Sequence, residues 1–393
     1  MVNAGTSSLT IKPHVQLFDL SMAQLQRLFV EVVLTVLLLV AEAAGDADLD
    51  TRACRGLMRG RYTRVFAFGD SLTDTGNSAI FPPTAGGTFT QLPYGETYFG
   101  HPSGRASDGR IITDFLVEKL KVPLPTPYLA GRTAADFLNG SNFAFGAATA
   151  LEPAFLETRG LTAFVPVSLS NETTFFEDVL QLLSSSHHEQ LSITASSVFF
   201  FGEMGINDYF LSLSSNRTVD ETASLVPHVV GAIRSALTAV LAAGARAVVA
   251  TGMPPLGCAP YQLALFPGAP GDYDRVTGCN TRLNGIAELH NRELRRTLDE
   301  IRRAHPGRSF LYGDIYSPIV SAVTSPARYG LSDAPLAACC GGGGGPYNYN
   351  FTTFCGLPGS TACADPSKSI SWDGIHFTEA ANRLMASAIL SGQ

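Results

Sequence analysis

The sequence predicts an α/β protein in which a parallel β-sheet is covered by helices on both faces. Short apolar runs with β-branched and aromatic residues predict five buried strands, at residues 65–68, 141–145, 197–201, 245–251 and 309–312. Longer stretches between and after them place apolar residues three and four positions apart, which is the period of an amphipathic helix. Strands and helices therefore alternate along the chain, as they do in a parallel sheet with helical crossover connections.

The predicted helices are at residues 111–120, 221–243, 280–305 and 378–390. Pro227 lies within the second of them and is a candidate for a kink, because proline lacks the N–H that a helix interior requires. His290 lies on the apolar stripe of the third, so we interpret it as a packing residue rather than as a metal ligand or a general base.

Length and composition predict one large folded domain. Of the 393 residues, 45% are hydrophobic and only 16% are charged, which is enough apolar material for a sizeable core and unlike a disordered chain. The net charge is −7 and there is no basic cluster. A nucleic-acid partner is therefore not expected, because phosphate binding needs concentrated Lys and Arg.

The N-terminal region has the pattern of a secretory signal peptide. Residues 29–40 are almost wholly apolar but too few to span a bilayer comfortably, and the Ala-Glu-Ala at 41–43 is a small-x-small cleavage site. We therefore predict no stable membrane anchor, with an ordinary buried helix as the alternative. The apolar run begins further from residue 1 than is usual for a signal peptide. Our hypothesis is therefore that translation starts at Met22 or that the upstream residues are a gene-model extension.

The predicted organisation has three parts. Residues 1–43 are an N-terminal extension and signal peptide, residues 44–63 are a lead-in, and residues 64–393 form a single domain.

The seven cysteines predict disulfide bonds rather than a metal site, because the sequence has no Cys-x-x-Cys and no histidine at zinc-like spacing. The expected pairs are Cys258 with Cys279, and Cys339 and Cys340 with Cys355 and Cys363 in either order.

Asn-x-Ser/Thr triplets are candidates for N-glycosylation, and they fit the same oxidising, secretory compartment. They are found at Asn139, Asn171, Asn216 and Asn350. Each triplet alone is weak evidence, because such triplets also arise by chance.

Ser71 is the candidate nucleophile. It follows the first predicted strand, in the run Gly-Asp-Ser-Leu at residues 69–72, and a turn at a strand end can present an exposed hydroxyl. A helix N-terminus after it would aim backbone N–H groups at developing negative charge. The alternative is that Ser71 only caps a helix. The nearby Asp70, Asp74 and Asn77 are expected mainly to hold the turn through side-chain to backbone hydrogen bonds.

Asp373 and His376 are the candidate partners of this serine. Three residues separate them, so a turn can fold the carboxylate back onto the imidazole Nδ1 and leave Nε2 facing the nucleophile. His376 is then the general base. Taken alone, Asp-x-x-His is a weak pattern and is also typical of a helix cap with a surface histidine.

These segments, taken in order, resemble the plant GDSL esterases and lipases of the SGNH-hydrolase superfamily. The resemblance rests on residues 69–72, on Gly146, on the Gly-x-Asn-Asp at residues 205–208 and on Asp373 with His376, and it extends from about residue 65 to residue 391. It implies a flavodoxin-like three-layer fold with a five-stranded parallel sheet of order 2-1-3-4-5. An α/β-hydrolase is less consistent, because Thr73 occupies the last position of Gly-x-Ser-x-Gly.

The resemblance also implies an oxyanion hole formed by the N–H groups of Ser71 and Gly146 and the side-chain amide of Asn207. Ile206 stands where plant relatives commonly have glycine, so it is expected to reshape the acyl pocket. Ala106 stands where they often have cysteine, which is expected to leave Cys54 unpaired.

The sequence therefore predicts a secreted, extracellular serine esterase or lipase of the apoplast or cell wall. It would act on a small-molecule or lipid ester through a Ser-Asp-His triad and an acyl enzyme, with no metal or organic cofactor. The alternatives are an acyltransferase that uses the same acyl enzyme and a secreted binding protein that has lost catalysis. The identity of the ester and the oligomeric state are left open.

Overall fold

The computed structural model describes residues 29–31, 33 and 51–391. The chain separates into two units, Met1–Leu49 and Asp50–Gln393. In the first unit, residues 29–31 and 33 are helical. The rest of the predicted extension and signal peptide, with Met22 and the cleavage site, lies outside the described residues. In the predicted lead-in, residues 51–59 are helical.

The second unit is built on a parallel sheet with the strand order β2-β3-β1-β4-β5-β6. Its strands are β1 (Arg64–Phe68), β2 (Thr126–Pro127), β3 (Gly140–Asn142), β4 (Ser197–Phe201), β5 (Ala247–Thr251) and β6 (Ser309–Gly313). The five strands predicted from the sequence follow the order 2-1-3-4-5, and β2 is an additional two-residue strand at the edge. The predicted α/β class and central order are confirmed. A separate antiparallel pair is formed by β7 (Cys340–Gly341) and β8 (Thr361–Ala362).

Strand β3 is shorter than the sequence predicts. Its edge partner β2 pairs only with Ser141 and Asn142, so the outer side of the strand is unpaired beyond this point. On the inner side the chain still follows β1, because the Phe143 N–H donates to the Ala67 carbonyl at 2.7 Å. The segment therefore remains fixed against β1 up to the region of Gly146.

The helices cover the sheet and connect its strands. They are α1 (Asn77–Ile80), α2 (Ile112–Leu120), α3 (Pro153–Thr158), α4 (Leu169–Leu183), α5 (His187–Ala195), α6 (Ile206–Ser214), α7 (Val219–Ala223), α8 (Val226–Ala242), α9 (Pro260–Leu265), α10 (Thr281–Ala304), α11 (Tyr316–Thr324) and α12 (Glu379–Ser391).

The alternation of side chains along each strand divides the core into two layers. On β1, Phe66 and Phe68 pack with α4, α8 and α10, whereas Val65 and Ala67 pack with α2, α11 and α12. Successive side chains of a strand point to opposite faces, so a strand that is apolar at every position must be covered on both sides. This is why the central strands carry continuous apolar runs.

The long helix predicted at residues 221–243 is interrupted. Helix α7 ends at Ala223 and α8 begins at Val226, with Pro227 in its first turn. The first N–H groups of a helix have no intrahelical acceptor, so proline fits there without a lost hydrogen bond. Pro227 therefore begins a helix rather than kinking one.

One helical stretch among the described residues has the length and composition of a membrane span. It is Val219–Ala242, and half of it is buried inside the protein. Its apolar residues contribute to the core on one face of the sheet, as in a core helix. By length and composition alone it is weak evidence for a membrane.

Three disulfides are present: Cys258–Cys279, Cys339–Cys363 and Cys340–Cys355. The first pair is as predicted, and the structure resolves the order of the other two. Cys54 is buried and free, as expected, and its thiol donates to the Leu390 carbonyl at 3.0 Å.

His290 is a packing residue, as the sequence indicates. It is buried, and its Nδ1 lies 2.9 Å from the hydroxyl of Tyr209. Burial lowers the pKa of His290 to about 3, so its ring is neutral at ordinary pH.

Candidate active site

The side chains of Ser71, Asp373 and His376 meet at the carboxyl end of the sheet. His376 Nε2 lies 2.8 Å from Ser71 Oγ, and His376 Nδ1 lies 2.6 Å from Asp373 Oδ2. All three residues are buried. Residues separated by about 300 positions in the chain thus form one continuous hydrogen-bonded chain.

Ser71 is held in a tight turn after β1. Gly69 has a φ of 150°, and a Cβ there would lie 2.7 Å from Thr73 Oγ1, so the turn requires glycine. The N–H groups of Thr73 and Asp74 both donate to the Asp70 carbonyl. The next helix, α1, does not begin until Asn77. Ser71 therefore lies in a turn and not at the helix N-terminus that the sequence suggests.

The polar side chains around this turn hold it, as predicted. The Asp74 carboxylate accepts from the N–H groups of Gly76, Asn77 and Ser78. The Asn77 amide donates to the carbonyls of Asn142, the last residue of β3, and of Ala144. The Asp70 carboxylate accepts from the Leu72 N–H, so it too holds the turn.

Asp373 and His376 are held by the turn that their spacing predicts. Asp373 Oδ1 accepts the N–H groups of Ile375 and His376 at 2.9 and 2.8 Å. Burial alone would raise the pKa of Asp373, but the charge of His376 and these hydrogen bonds outweigh it and hold the pKa below its usual value. Asp373 is therefore ionised at neutral pH.

Tyr94 also contacts this pair, which the sequence did not indicate. Its hydroxyl donates to Asp373 Oδ2 at 2.8 Å across a sequence separation of 279 residues. The sequence places Tyr94 in an irregular loop rich in Gly, Pro and aromatic residues, where no periodicity marks one side chain over another.

The backbone N–H groups of Ser71 and Ala147 have no hydrogen-bond partner among the residues that the structure describes. Both residues line one cavity, which also includes His376. Ala147 has a φ of 65°, an uncommon conformation for a residue with a Cβ. No pattern in the sequence marks Ala147, because alanine at a loop position is ordinary.

The predicted donors Gly146 and Asn207 also reach this cavity, but both already have acceptors. The Gly146 N–H donates to Ser78 Oγ at 2.6 Å and to Asp74 Oδ2 at 3.1 Å. The Asn207 amide donates to Asp70 Oδ2 at 3.0 Å and to the Ala148 carbonyl at 2.9 Å. The Gly146 N–H thus donates to side chains of the segment that follows Ser71, and the oxyanion role expected of it stays a prediction.

Buried carboxyl groups lie behind the serine. Burial raises the pKa of Asp70 to about 6, and burial and the charge of Asp70 raise the pKa of Glu203 well above its usual value. Burial also raises the pKa of Asp208 to about 7, although the N–H groups of Ala150 and Leu151 partly offset it.

A cavity of about 710 Å³ opens onto Ser71 and His376. Its size is within the range of small-molecule sites. Its lining includes an aromatic wall and the Pro-, Gly- and Thr-containing segment 83–89. The residues of the aromatic wall are Phe164, Phe210, Tyr261, Phe351 and Phe354. Ile206, expected to shape the acyl pocket, lines the cavity as well. No Lys, Arg, Asp or Glu is among the described residues that line it.

Within the described part of the chain, no group of three or more His, Cys, Asp or Glu side chains is arranged to hold a metal ion. Of the glycosylation candidates, Asn139, Asn216 and Asn350 are exposed. Asn171 is half-buried, and its side chain accepts from the N–H of Ser168 at the start of α4.

Comparisons with known proteins indicate the family of this chain. The family model described as GDSL-like Lipase/Acylhydrolase matches residues 65–389. One GDSL esterase/lipase of Arabidopsis thaliana is 39% identical over 336 residues, with 84% of each chain covered. Another from the same plant is 38% identical over 339 residues, with 85% of this chain and 91% of that protein covered.

Among solved structures, a mutant of an acetyl-xylooligosaccharide esterase from Geobacillus is similar with a TM-score of 0.35 and 13% identity, covering 85% of this chain and 94% of its own. A likeness this low supports no conclusion about this chain. The family match and the relatives are sufficient by themselves: the chain belongs to the GDSL-like lipase/acylhydrolase family and is a carboxylic ester hydrolase.

Proposed function

We propose that this protein hydrolyses esters by serine acyl transfer, with Ser71 as nucleophile, His376 as general base and Asp373 as the carboxylate that orients it. The observation that carries the proposal is the pair of distances at His376, 2.8 Å from Nε2 to Ser71 Oγ and 2.6 Å from Nδ1 to Asp373 Oδ2. With Asp373 ionised, the imidazole carries its proton on Nδ1, and its Nε2 lone pair is free for the serine hydroxyl.

In the first half of the reaction, Ser71 Oγ attacks the ester carbonyl carbon while its proton passes to His376 Nε2. The tetrahedral intermediate then collapses, the bond to the alcohol oxygen breaks, and His376 gives the proton to the leaving alcohol. In the second half, water attacks the acyl enzyme and loses a proton to His376. That proton returns to Ser71 as the acid leaves.

The oxyanion of each intermediate would be bound by N–H groups that line the cavity. The N–H groups of Ser71 and Ala147 fit this role because they have no partner in the described protein, so they need not give up a hydrogen bond. Asn207 would contribute by turning one amide hydrogen from Asp70 or the Ala148 carbonyl toward the oxyanion. Gly146 would act indirectly, because its hydrogen bonds to Ser78 and Asp74 hold the segment that positions the adjacent Ala147.

The chemical character of the cavity supports a neutral ester with a large apolar group as the substrate. Aromatic side chains form one wall, and no charged side chain among the described lining residues could pair with a charged substrate. The three disulfides support a secreted protein, because such bonds persist in oxidising compartments.

The proposal is tested with purified parent and Ser71→Ala protein, a p-nitrophenyl ester and a fluorophosphonate probe. We expect the parent to hydrolyse the ester and to be labelled on the peptide that contains Ser71, and Ser71→Ala to do neither. Hydrolysis by Ser71→Ala at the parent rate would refute the assignment. Transfer of the acyl group to added glycerol in place of water would identify a transferase instead, and absence of both labelling and turnover would indicate a binding protein.

A further inference from the structure

We propose that Tyr94 is a positioning residue of this site, which holds the Asp373 carboxylate and limits how strongly that carboxylate stabilises the charged form of His376. The inference rests on the proposed function, and it assigns a role to a residue outside the Ser-Asp-His set. The hydroxyl of Tyr94 lies 2.8 Å from Asp373 Oδ2, the same oxygen that binds His376 Nδ1.

The Asp373 carboxylate has four donors arranged around it. Oδ1 accepts the N–H groups of Ile375 and His376, and Oδ2 accepts the Tyr94 hydroxyl and His376 Nδ1. A carboxylate has about four lone-pair positions, so the group is saturated and can take no further partner. Each donor fixes one direction of the carboxylate, and Tyr94 supplies the constraint that no residue of the turn 373–376 provides.

Tyr94 is itself held by its surroundings. Its side chain is fully buried and packs edge-on against Trp372 and Phe89, with ring centroids 5.9 and 5.3 Å apart. Phe89 packs edge-on against the His376 ring at 5.3 Å. Burial and the charge of Asp373 keep the pKa of Tyr94 well above its usual value, so the hydroxyl remains a donor at working pH.

The electrostatic consequence follows from the shared oxygen. A hydroxyl that donates to Oδ2 draws negative charge away from the atom that stabilises the imidazolium. Removing it leaves His376 Nδ1 as the only partner of Oδ2 among the described residues, so the charged imidazole gains stability. The other titratable side chains that act on this pair are Tyr349, which faces Asp373, and Asp70, which faces His376.

The experiment compares Tyr94→Phe with the parent across pH. Phenylalanine keeps the buried ring and removes only the hydroxyl. We expect the acid limb of the kcat/KM profile to move to higher pH by about half a unit, and kcat/KM at neutral pH to fall about tenfold with KM nearly unchanged. The matched control is Tyr209→Phe, which removes an equally buried hydroxyl, from His290, outside the cavity lining. It should leave the profile in place.

A second variant separates the electrostatic effect of the hydroxyl from the effect of ring packing. It remains informative even where phenylalanine at position 94 prevents folding. Incorporating 3-fluorotyrosine at position 94 makes the hydroxyl a stronger donor, so the acid limb should move to lower pH, opposite to Tyr94→Phe. A loss of packing cannot give shifts of opposite sign. The proposal is overturned if the acid limb keeps its place in both variants, or if Tyr209→Phe moves it as far.

A readout independent of turnover distinguishes failure of this inference from failure of the proposed function. The low-field proton resonance of His376 Nδ1 should move further downfield in Tyr94→Phe, because one competitor for Oδ2 is gone. Movement of the resonance in a protein that hydrolyses no ester would refute the proposed function and leave the role of Tyr94 standing. An unmoved resonance in an active protein would refute the role of Tyr94 alone.

Discussion

Raising the pH from about 4.5 to about 7.5 is expected to destabilise the folded protein, because buried carboxyl groups behind Ser71 must then lose their protons. Asp208 is the clearest case. It is fully buried, and burial raises its pKa from 3.8 to about 7 in the folded state. Between these values the folded protein keeps a proton that the unfolded chain has lost. The free energy of unfolding therefore falls as the pH rises through this window.

The size of the effect follows from the shift. A change of about three pKa units at about 1.4 kcal/mol each gives roughly 4 kcal/mol between pH 4 and pH 7. For a unit of about 340 residues, with an unfolding entropy of about 2.1 cal/mol/K per residue, this lowers Tm by about 6 °C. The raised pKa values of Asp70, Glu172 and Glu203 act in the same direction. Two lowered pKa values act in the opposite direction. That of Asp373 acts only below its ordinary value of 3.8 and so outside this window. That of buried His290, lowered from 6.5 to about 3, acts inside the window up to pH 6.5 and offsets part of the fall, and the four raised carboxyl groups together outweigh it.

The assay is thermal or urea unfolding at closely spaced pH values without reductant, on the parent and on Asp208→Asn. The variant is expected to be less stable overall, since an amide cannot accept from both the Ala150 and Leu151 N–H groups, but its pH dependence should weaken by about one proton. Asp220→Asn, at an exposed position, is the control and should keep the parent slope. A parent Tm that rises from pH 4.5 to 7.5, or an unchanged slope in Asp208→Asn, would refute this reasoning.

Two further predictions concern the proposed site. Asn207→Ala should lower kcat by about a hundredfold. This is the lower part of the range for loss of one oxyanion donor, because the amide must first leave Asp70 or the Ala148 carbonyl. Steady-state kinetics at an unchanged Tm would show the loss, and a parent-like kcat would exclude Asn207 as a donor. Phe210→Ala should lower the ratio of kcat/KM for octanoate over acetate esters about tenfold, the equivalent of two methylenes at about 0.8 kcal/mol each. The control Phe155→Ala changes a residue outside the cavity lining and should leave this ratio unchanged. An equal change in both variants would contradict a specific contact between Phe210 and the acyl chain.

The strand prediction succeeded where both faces of a strand are buried, because burial on two sides leaves a continuous apolar run in the sequence. Strand β4 was predicted with its observed bounds, Ser197–Phe201. It misplaced the end of β3, which stops at Asn142 rather than at residue 145, because the edge partner β2 ends early. Pairing beyond the edge depends on a neighbouring strand that local sequence does not describe.

The candidate site likewise contains residues that the sequence could indicate and residues that it could not. Ser71, Asp373 and His376 could be singled out because their chemistry is rare in that order and their local turns follow from spacing. Tyr94 and Ala147 could not. Tyr94 contacts Asp373 across a separation of 279 residues, and Ala147 is marked by a φ of 65° and by an N–H that has no partner in the described part of the chain, neither of which its side chain reveals.

The sequence by itself determined the layered α/β class, the succession of the central strands and the residue types that can perform acyl transfer. Periodicity and local turn chemistry are properties of neighbouring residues, so they can be read from the chain. Only the tertiary structure decided which of Cys355 and Cys363 pairs with Cys339, that the carboxyl groups of Asp70 and Glu203 are buried near each other, and that the N–H groups of Ser71 and Ala147 have no partner among the described residues. These depend on distances and burial between segments far apart in sequence, which arise only when the chain is folded.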